Sequence, residues 1–278
     1  WMVPSLFEGL AATDETTWCA ELGAAAPERL RAHWQRWITR EDFAWLAERG
    51  INAVRIPVGH WIFGPDYPYH PSYGEARHPF VEGGIAVLDN AMTWAQEFGL
   101  QVVLDLHAAP GCQNGGWHSD SYGNTELFSN DFNIDRYLRL WHFLAEQYKD
   151  SSAVAGYDVL NEPVISFYNE QALKNLYTKV IKEIRDADKK HIIFLEGNFW
   201  AQRLAFLGKP EDPNTVYSIH TYAPFDFTHN FKIGLYYPGK AYNIVWNKER
   251  FALLAKPYRM FAEYNKVPLY LGEFGVNA

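Results

Sequence analysis

Residues 84–106 read GIAVLDNAMTWAQEFGLQVVLDL: an amphipathic helical pattern over Gly84–Phe98, a short break, and an apolar strand pattern over Gln101–Leu106. The unit recurs along the chain. Upstream, Asn52–Val58 (NAVRIPV) is the first clear strand. Downstream, a helix around Asp135–Tyr148 leads into the strand Ala155–Leu160, and one around Glu170–Asp188 into Ile192–Glu196. Val216–His220 follows a proline-containing loop, and a helix around Lys248–Tyr264 leads into Leu269–Gly272. Six strands alternating with helices imply parallel pairing through right-handed crossovers. An open doubly wound sheet usually carries a glycine-rich phosphate turn, and no G-x-G-x-x-G occurs here. The polar residues of interest collect instead at the C-terminal ends of several strands, where a closed barrel keeps its active site. The expected fold is therefore α/β, a (β/α)8 TIM barrel.

Composition narrows the function. At 278 residues the chain suits one such barrel, and 48% hydrophobic with 21% charged residues is enough to bury a sizeable core. A formal net charge of −8 argues against nucleic acid or an anionic membrane as partner and is compatible with a neutral substrate. No run of 18 apolar residues is present to span a bilayer. The two cysteines, Cys19 and Cys112, form no C-x-x-C or Cys/His zinc spacing and read as free thiols. The chain holds 11 Trp, 17 Tyr and 18 Phe, which serve either as core or as flat surfaces for the C–H faces of sugar rings. Aromatic-rich loops are expected over 59–83, 111–133 and 223–247, and loops of this length in a compact domain are usually functional.

Two motifs carry chemistry. Asn161-Glu162-Pro163 closes one strand, and Gly272-Glu273-Phe274-Gly275 closes the last. Alone, the first also reads as a helix start with an early acidic residue, and the second as a turn with an exposed glutamate. As a pair they suit glycosidic cleavage, which needs one protonated and one ionised carboxyl group, about 5–5.5 Å apart in retaining enzymes. Environment must then push the two apart in acidity. Arg55, at the end of the first clear strand, is placed to hold Glu273 ionised and Tyr222 to donate to it, leaving Glu162 protonated beside a negative neighbour. His107 and His220 at strand ends are structural, substrate-contacting or, less suitably, metal-binding. Their local partners Asp105 and Tyr222 make poor zinc sets, so no metal is expected. A serine hydrolase is disfavoured because no G-x-S-x-G occurs.

Taken in order, Arg55, His107, Asn161-Glu162, His220, Tyr222 and Glu273 resemble the invariant set of glycoside hydrolase family 5 of clan A. Four stretches resemble more closely its exo-β-1,3-glucanase subfamily, known from fungal cell walls. They are PSLFE (residues 4–8), HWQRWITREDF (33–43), NAVRIPVGHW (52–61) and DLHAAPGCQNG (105–115). The resemblance covers essentially the whole chain. It implies a TIM barrel, retaining hydrolysis of β-glucosidic bonds with transglycosylation as a side reaction, no cofactor, a β-glucan or β-glucoside oligosaccharide substrate, and a secreted enzyme. Carried over, Glu162 is acid/base and Glu273 nucleophile, Asn161 binds the 2-hydroxyl, and His107 binds the non-reducing-end sugar. Phe225 forms one wall of the subfamily's aromatic entry clamp.

The chain also departs from the pattern. Where the subfamily has Asn-Gly-Phe-Asp, this sequence has Asn114-Gly115-Gly116-Trp117-His118, which puts Trp117 in place of the Phe and His118 where an acidic sugar ligand is expected. Linkage preference is thereby left open. Of the family's first strand only Trp1 remains, and the sequence stops at Ala278, past strand seven. The expectation is one glycoside hydrolase catalytic domain over 1–278, truncated at both ends and lacking strands one and eight, with two unpaired sheet edges. Alternatives are a non-catalytic carbohydrate-binding barrel, or an endo-β-glucanase or glucosylceramidase of the same family. Exo action rests on the bulk of the three aromatic loops.

Overall fold

The computed structural model describes residues 3–66, 81–121, 123 and 125–277, with backbone only for 64–66. Trp1, Ala278, residues 67–80 of the first long loop and residues 122 and 124 of the second lie outside the described residues.

Six parallel strands form one curled sheet: β1 (Ala53–Gly59), β2 (Gln101–Ala108), β3 (Val154–Asp158), β4 (Ile192–Glu196), β5 (Thr215–Thr221) and, after a small hairpin, β8 (Leu269–Phe274). Their order in the sheet is the order in the chain, so β1 and β8 are its edges. This is the half-barrel that alternating strands and helices predict, with long helices leading into β2, β3, β4 and β8, whereas β4 and β5 are joined by a segment holding only a four-residue turn. The helices are α1 (Glu15–Leu22), α2 (Ala26–Trp34), α3 (Arg40–Glu48), α4 (Gly84–Phe98), α5 (Asp131–Tyr148), α6 (Glu170–Ala187), the short α7 (Asn198–Ala201) and α8 (Phe225–Thr228), and α9 (Lys248–Asn265).

Local chemistry sets the ends of these elements. In α4, Leu88, Ala91, Met92 and Ala95 are buried at helical spacing, and Gly99 ends the helix at φ 69°, where a glycine takes the left-handed turn without strain. Asn130 caps α5 by accepting from the Phe132 amide, and Asn247 caps α9 by accepting from Arg250. The central strand β2 is buried along almost its whole length, as expected of a parallel strand covered on both faces, whereas the edge strands β1 and β8 are half-exposed. Leu104, Leu106, Tyr157, Val159 and Ile193 join Leu140, Trp141, Leu173 and Tyr177 in the main core. A second cluster around Trp18, Cys19, Ala26 and Leu30 packs the N-terminal helices.

The structure revises three local expectations. Arg55 is the third residue of β1 rather than its end, so its side chain starts deeper in the sheet. β3 stops at Asp158 instead of running to Leu160, because Val159 donates to the Phe194 carbonyl and Asn161 to that of Leu106, outside the regular ladder. Residues 223–247 are not a plain loop. They hold α8 and an antiparallel hairpin, β6 (Gly239–Ala241) with β7 (Ile244–Trp246). The hairpin turns at Tyr242-Asn243, both at positive φ, as a two-residue turn requires. With Tyr where Asn or Gly is usual, the turn carries little signal in the sequence.

Candidate active site

The site grows from Arg55 on the edge strand. Its guanidinium reaches across the sheet interior. Nε donates to Asp158 Oδ2 at 3.0 Å, Nη1 to Glu273 Oε1 at 2.7 Å, and Nη2 to Asn161 Oδ1 at 2.9 Å and Glu196 Oε1 at 3.1 Å. Asp105 Oδ1 stands 3.1 Å from Nη2 as well. Burial works against this cation, but Asp105, Asp158, Glu196 and Glu273 outweigh it and keep the guanidinium firmly charged. One cation cannot neutralise four carboxylates. Burial first, then repulsion from Glu196, pushes the Asp158 carboxyl up despite Arg55.

Glu273, next to last in β8, is held on both oxygens: Arg55 on Oε1, and the Tyr222 hydroxyl donating to Oε2 at 2.9 Å. Burial raises its pKa, yet His220, Arg55, His107 and Tyr222 outweigh burial and leave it below its usual value, hence ionised. Glu162 stands in the connection after β3 at φ 47°, a left-handed conformation that costs a non-glycine residue about 1–3 kcal/mol. Its backbone N–H donates to Glu196 Oε2 at 2.6 Å, and its carboxylate Oε1 lies 2.9 Å from His220 Nδ1. A carboxylate oxygen of Glu162, one of Glu273 and a ring nitrogen of His220 all lie within 4.8 Å of one another. These are the described residues whose ligand atoms come close enough to hold an ion. Arg55 and a charged His220 already counter the two carboxylates, so the donor set favours acid–base chemistry over a metal centre.

His220, inside β5 and all but buried, faces Glu162, Glu196 and Glu273 at 2.9, 3.0 and 3.7 Å. Burial alone would lower its pKa, but the three carboxylates push it up to about 11. Beneath it, Gly272 leaves no room for a side chain. A Cβ there would sit 2.6 Å from Ser218 Oγ and 2.8 Å from His220 Nε2. His107 Nδ1 pairs with Asp105 Oδ2 at 2.6 Å, and its Nε2 lies 3.4 Å from Asn161 Nδ2.

The structure thus brings Arg55, His107, Asn161, Glu162, His220, Tyr222 and Glu273 together. Phe225 lines the adjoining cavity of about 360 Å³ with Glu162, His220, Tyr222, Trp200, Gln202 and His229. Trp117 is not among the residues lining that cavity. Its half-exposed ring packs edge-on against His118, 6.0 Å between centroids. His118 itself faces Glu162 Oε2 at 3.5 Å, and burial, then His107, lowers its pKa, favouring the neutral ring. Two further residues belong to the site. Trp200 is presented by a left-handed turn in which Phe199, Trp200 and Ala201 all have positive φ. Glu196 sits at the base of the cluster. The sequence signal for Glu196 was its place as the last residue of a strand, shared with the other site residues; Trp200 carries no local motif.

The family model described as Cellulase (glycosyl hydrolase family 5) matches residues 20–278. A probable glucan 1,3-beta-glucosidase A of Aspergillus niger is 35% identical over 230 residues, 81% of this chain and 53% of that protein. The Aspergillus clavatus counterpart is 37% identical over 234 residues, again with 53% of its length matched. The chain therefore spans about half the length of the curated relatives it matches. Among solved structures, Thermotoga maritima Cel5A in complex with cellobiose superposes with a TM-score of 0.66 at 26% identity, over 86% of this chain and 72% of that one. By its matching residues, its half-barrel and these relatives, the chain belongs to glycosyl hydrolase family 5.

Proposed function

We propose that the protein is a retaining β-glycoside hydrolase, exo-acting on β-1,3-glucan or related β-glucosides. The observation that carries this reading is the approach of one oxygen of Glu162 and one of Glu273 to within 4.8 Å of each other, near the separation a double displacement requires. Glu273, ionised between Arg55 and Tyr222, attacks the anomeric carbon. Glu162 protonates the departing glycosidic oxygen and then draws a proton from the water that releases the sugar. Asn161, fixed by Arg55, offers its amide to the 2-hydroxyl, and His107, aligned by Asp105, hydrogen-bonds the non-reducing-end sugar. Phe225 and Trp200 supply stacking faces on the leaving-group side, and the half-exposed Trp117 offers a further face outside that cavity. None of these steps calls for a cofactor or metal. No helix among the described residues is long and apolar enough to cross a membrane.

The preference for β-1,3-glucan rests on the relatives' names. Matches at 35% and 37% identity are glucan 1,3-beta-glucosidases, whereas the Thermotoga Cel5A match stands at 26%. The test is laminari-oligosaccharide hydrolysis followed by proton NMR. The expected first product is glucose with the β configuration retained. Release of α-glucose defeats the double displacement, and a ladder of mixed oligomers defeats exo action.

A further inference from the structure

We infer that Glu196 is a positioning residue that ties the backbone of Glu162 to the Arg55–His220 pair and so aims the proton donor. The inference rests on the hydrolase reading and deepens it. Glu196 is the last residue of β4 and has no exposed surface. Both of its oxygens are committed. Oε2 accepts the Glu162 N–H at 2.6 Å, and Oε1 lies 3.1 Å from Arg55 Nη2 and 3.0 Å from His220 Nε2. The His220 contact is one of charge, since the ring N–H is not aligned for a hydrogen bond. From behind, the Tyr177 hydroxyl on α6 donates to the Glu196 carbonyl at 2.8 Å and fixes the strand end.

Two features give this contact a role beyond packing. Glu162 holds a left-handed φ of 47°, which persists only where its surroundings over-determine it, and the Glu196 carboxylate is the side chain that grips its amide. Moreover, the groups in direct contact with the two Glu196 oxygens are all donors: a backbone N–H, a guanidinium and an imidazolium. A carboxylate satisfies all three, whereas a glutamine of the same shape must turn its NH2 toward one of them, donor against donor, in either flip. Glu196→Gln is therefore an isosteric change that breaks the coupling.

The test compares kcat/KM for phenyl β-glucoside, whose leaving group needs a proton, with 2,4-dinitrophenyl β-glucoside, whose leaving group does not. In E196Q the first is expected to fall by roughly 10²-fold or more, the range of a lost general acid, and the second by less than about tenfold. Glu196→Asp, which keeps the charge but shortens the reach, should show the same ordering with smaller losses, and serves if E196Q does not fold. Equal losses on both substrates, or no loss, overturn the proposal. An independent readout needs no substrate. The Glu162 amide proton, which donates to Glu196, should shift in the proton–nitrogen NMR spectrum of E196Q relative to the unaltered protein; an unmoved Glu162 amide also overturns the proposal. Absence of turnover on every aryl β-glucoside by the unaltered protein sinks the hydrolase reading instead, and leaves the NMR result to decide the role of Glu196.

Discussion

Glu273 stands near the end of the edge strand β8, just past a register shift in its pairing with β5, and is held by its side chain, with Arg55 on one oxygen and Tyr222 on the other. Glu162 lies beyond the end of β3, in a strained left-handed conformation, and is held largely through its backbone by Glu196. Charge follows the same division. His220, Arg55 and His107, with the Tyr222 hydroxyl, keep Glu273 below its normal pKa after overcoming burial, as a nucleophile requires. Around Glu162 stand the ring of His118, which favours its neutral form, and His220, which Glu196 and Glu273 also share. The contrast teaches that a family pair of carboxylates can be poised by different physics: one by charge contacts to its side chain, the other by a bent backbone that a buried acid holds in place.

Breaking the comparison at its strongest point, Glu273→Ala removes the attacking group, and turnover of nitrophenyl β-glucoside should fall on the order of 10⁴-fold or more. Steady-state rates retaining more than a tenth of the original activity would rule Glu273 out as nucleophile. Glu162→Gln removes only the proton transfer. Activity on phenyl β-glucoside should drop about 10²–10⁴-fold while dinitrophenyl glucoside is still cleaved to its covalent intermediate, seen as a burst of released phenol. Loss of the burst would assign Glu162 a different role.

Smaller changes sharpen the picture. Gly272→Ala drives a methyl group against Ser218 and His220, and should destabilise the fold by about 1–3 kcal/mol in urea unfolding. An unshifted midpoint would show that β8 can move aside. Tyr222→Phe deletes one hydrogen bond to Glu273 and should lower kcat/KM by roughly tenfold, about the worth of a hydrogen bond to a charged group. Because that bond favours the ionised carboxylate, its loss raises the Glu273 pKa and moves the acidic limb of the kcat/KM–pH profile to higher pH. A limb that stays put, or moves to lower pH, would mean Tyr222 does not tune this carboxylate.

Much of this was legible in the chain. The helix over residues 84–98 and the strands around Asn52–Val58, Gln101–Leu106, Ile192–Glu196 and Val216–His220 announce themselves through period and apolar runs, because each buries one face or both against its neighbours. The Asn161-Glu162-Pro163 and Gly272-Glu273 motifs marked the two carboxylates. What escaped notice is long-range or locally atypical. The hairpin turn at Tyr242-Asn243 lacks the usual residues. Trp200 reaches the cavity through a left-handed turn that no residue type advertises.

The sequence by itself determined the alternation of strand and helix, the six strands, the family, and which acidic residues stand near strand ends. Those properties are local, set by hydrophobic period and short motifs. Only the tertiary structure decided that Arg55, deep in an edge strand, gathers Asp105, Asp158, Asn161, Glu196 and Glu273 about one guanidinium, and that Glu196 grips the Glu162 backbone. These contacts join residues as far as 218 positions apart, and charge and hydrogen bonding act over a few ångströms of space, whatever the distance along the chain.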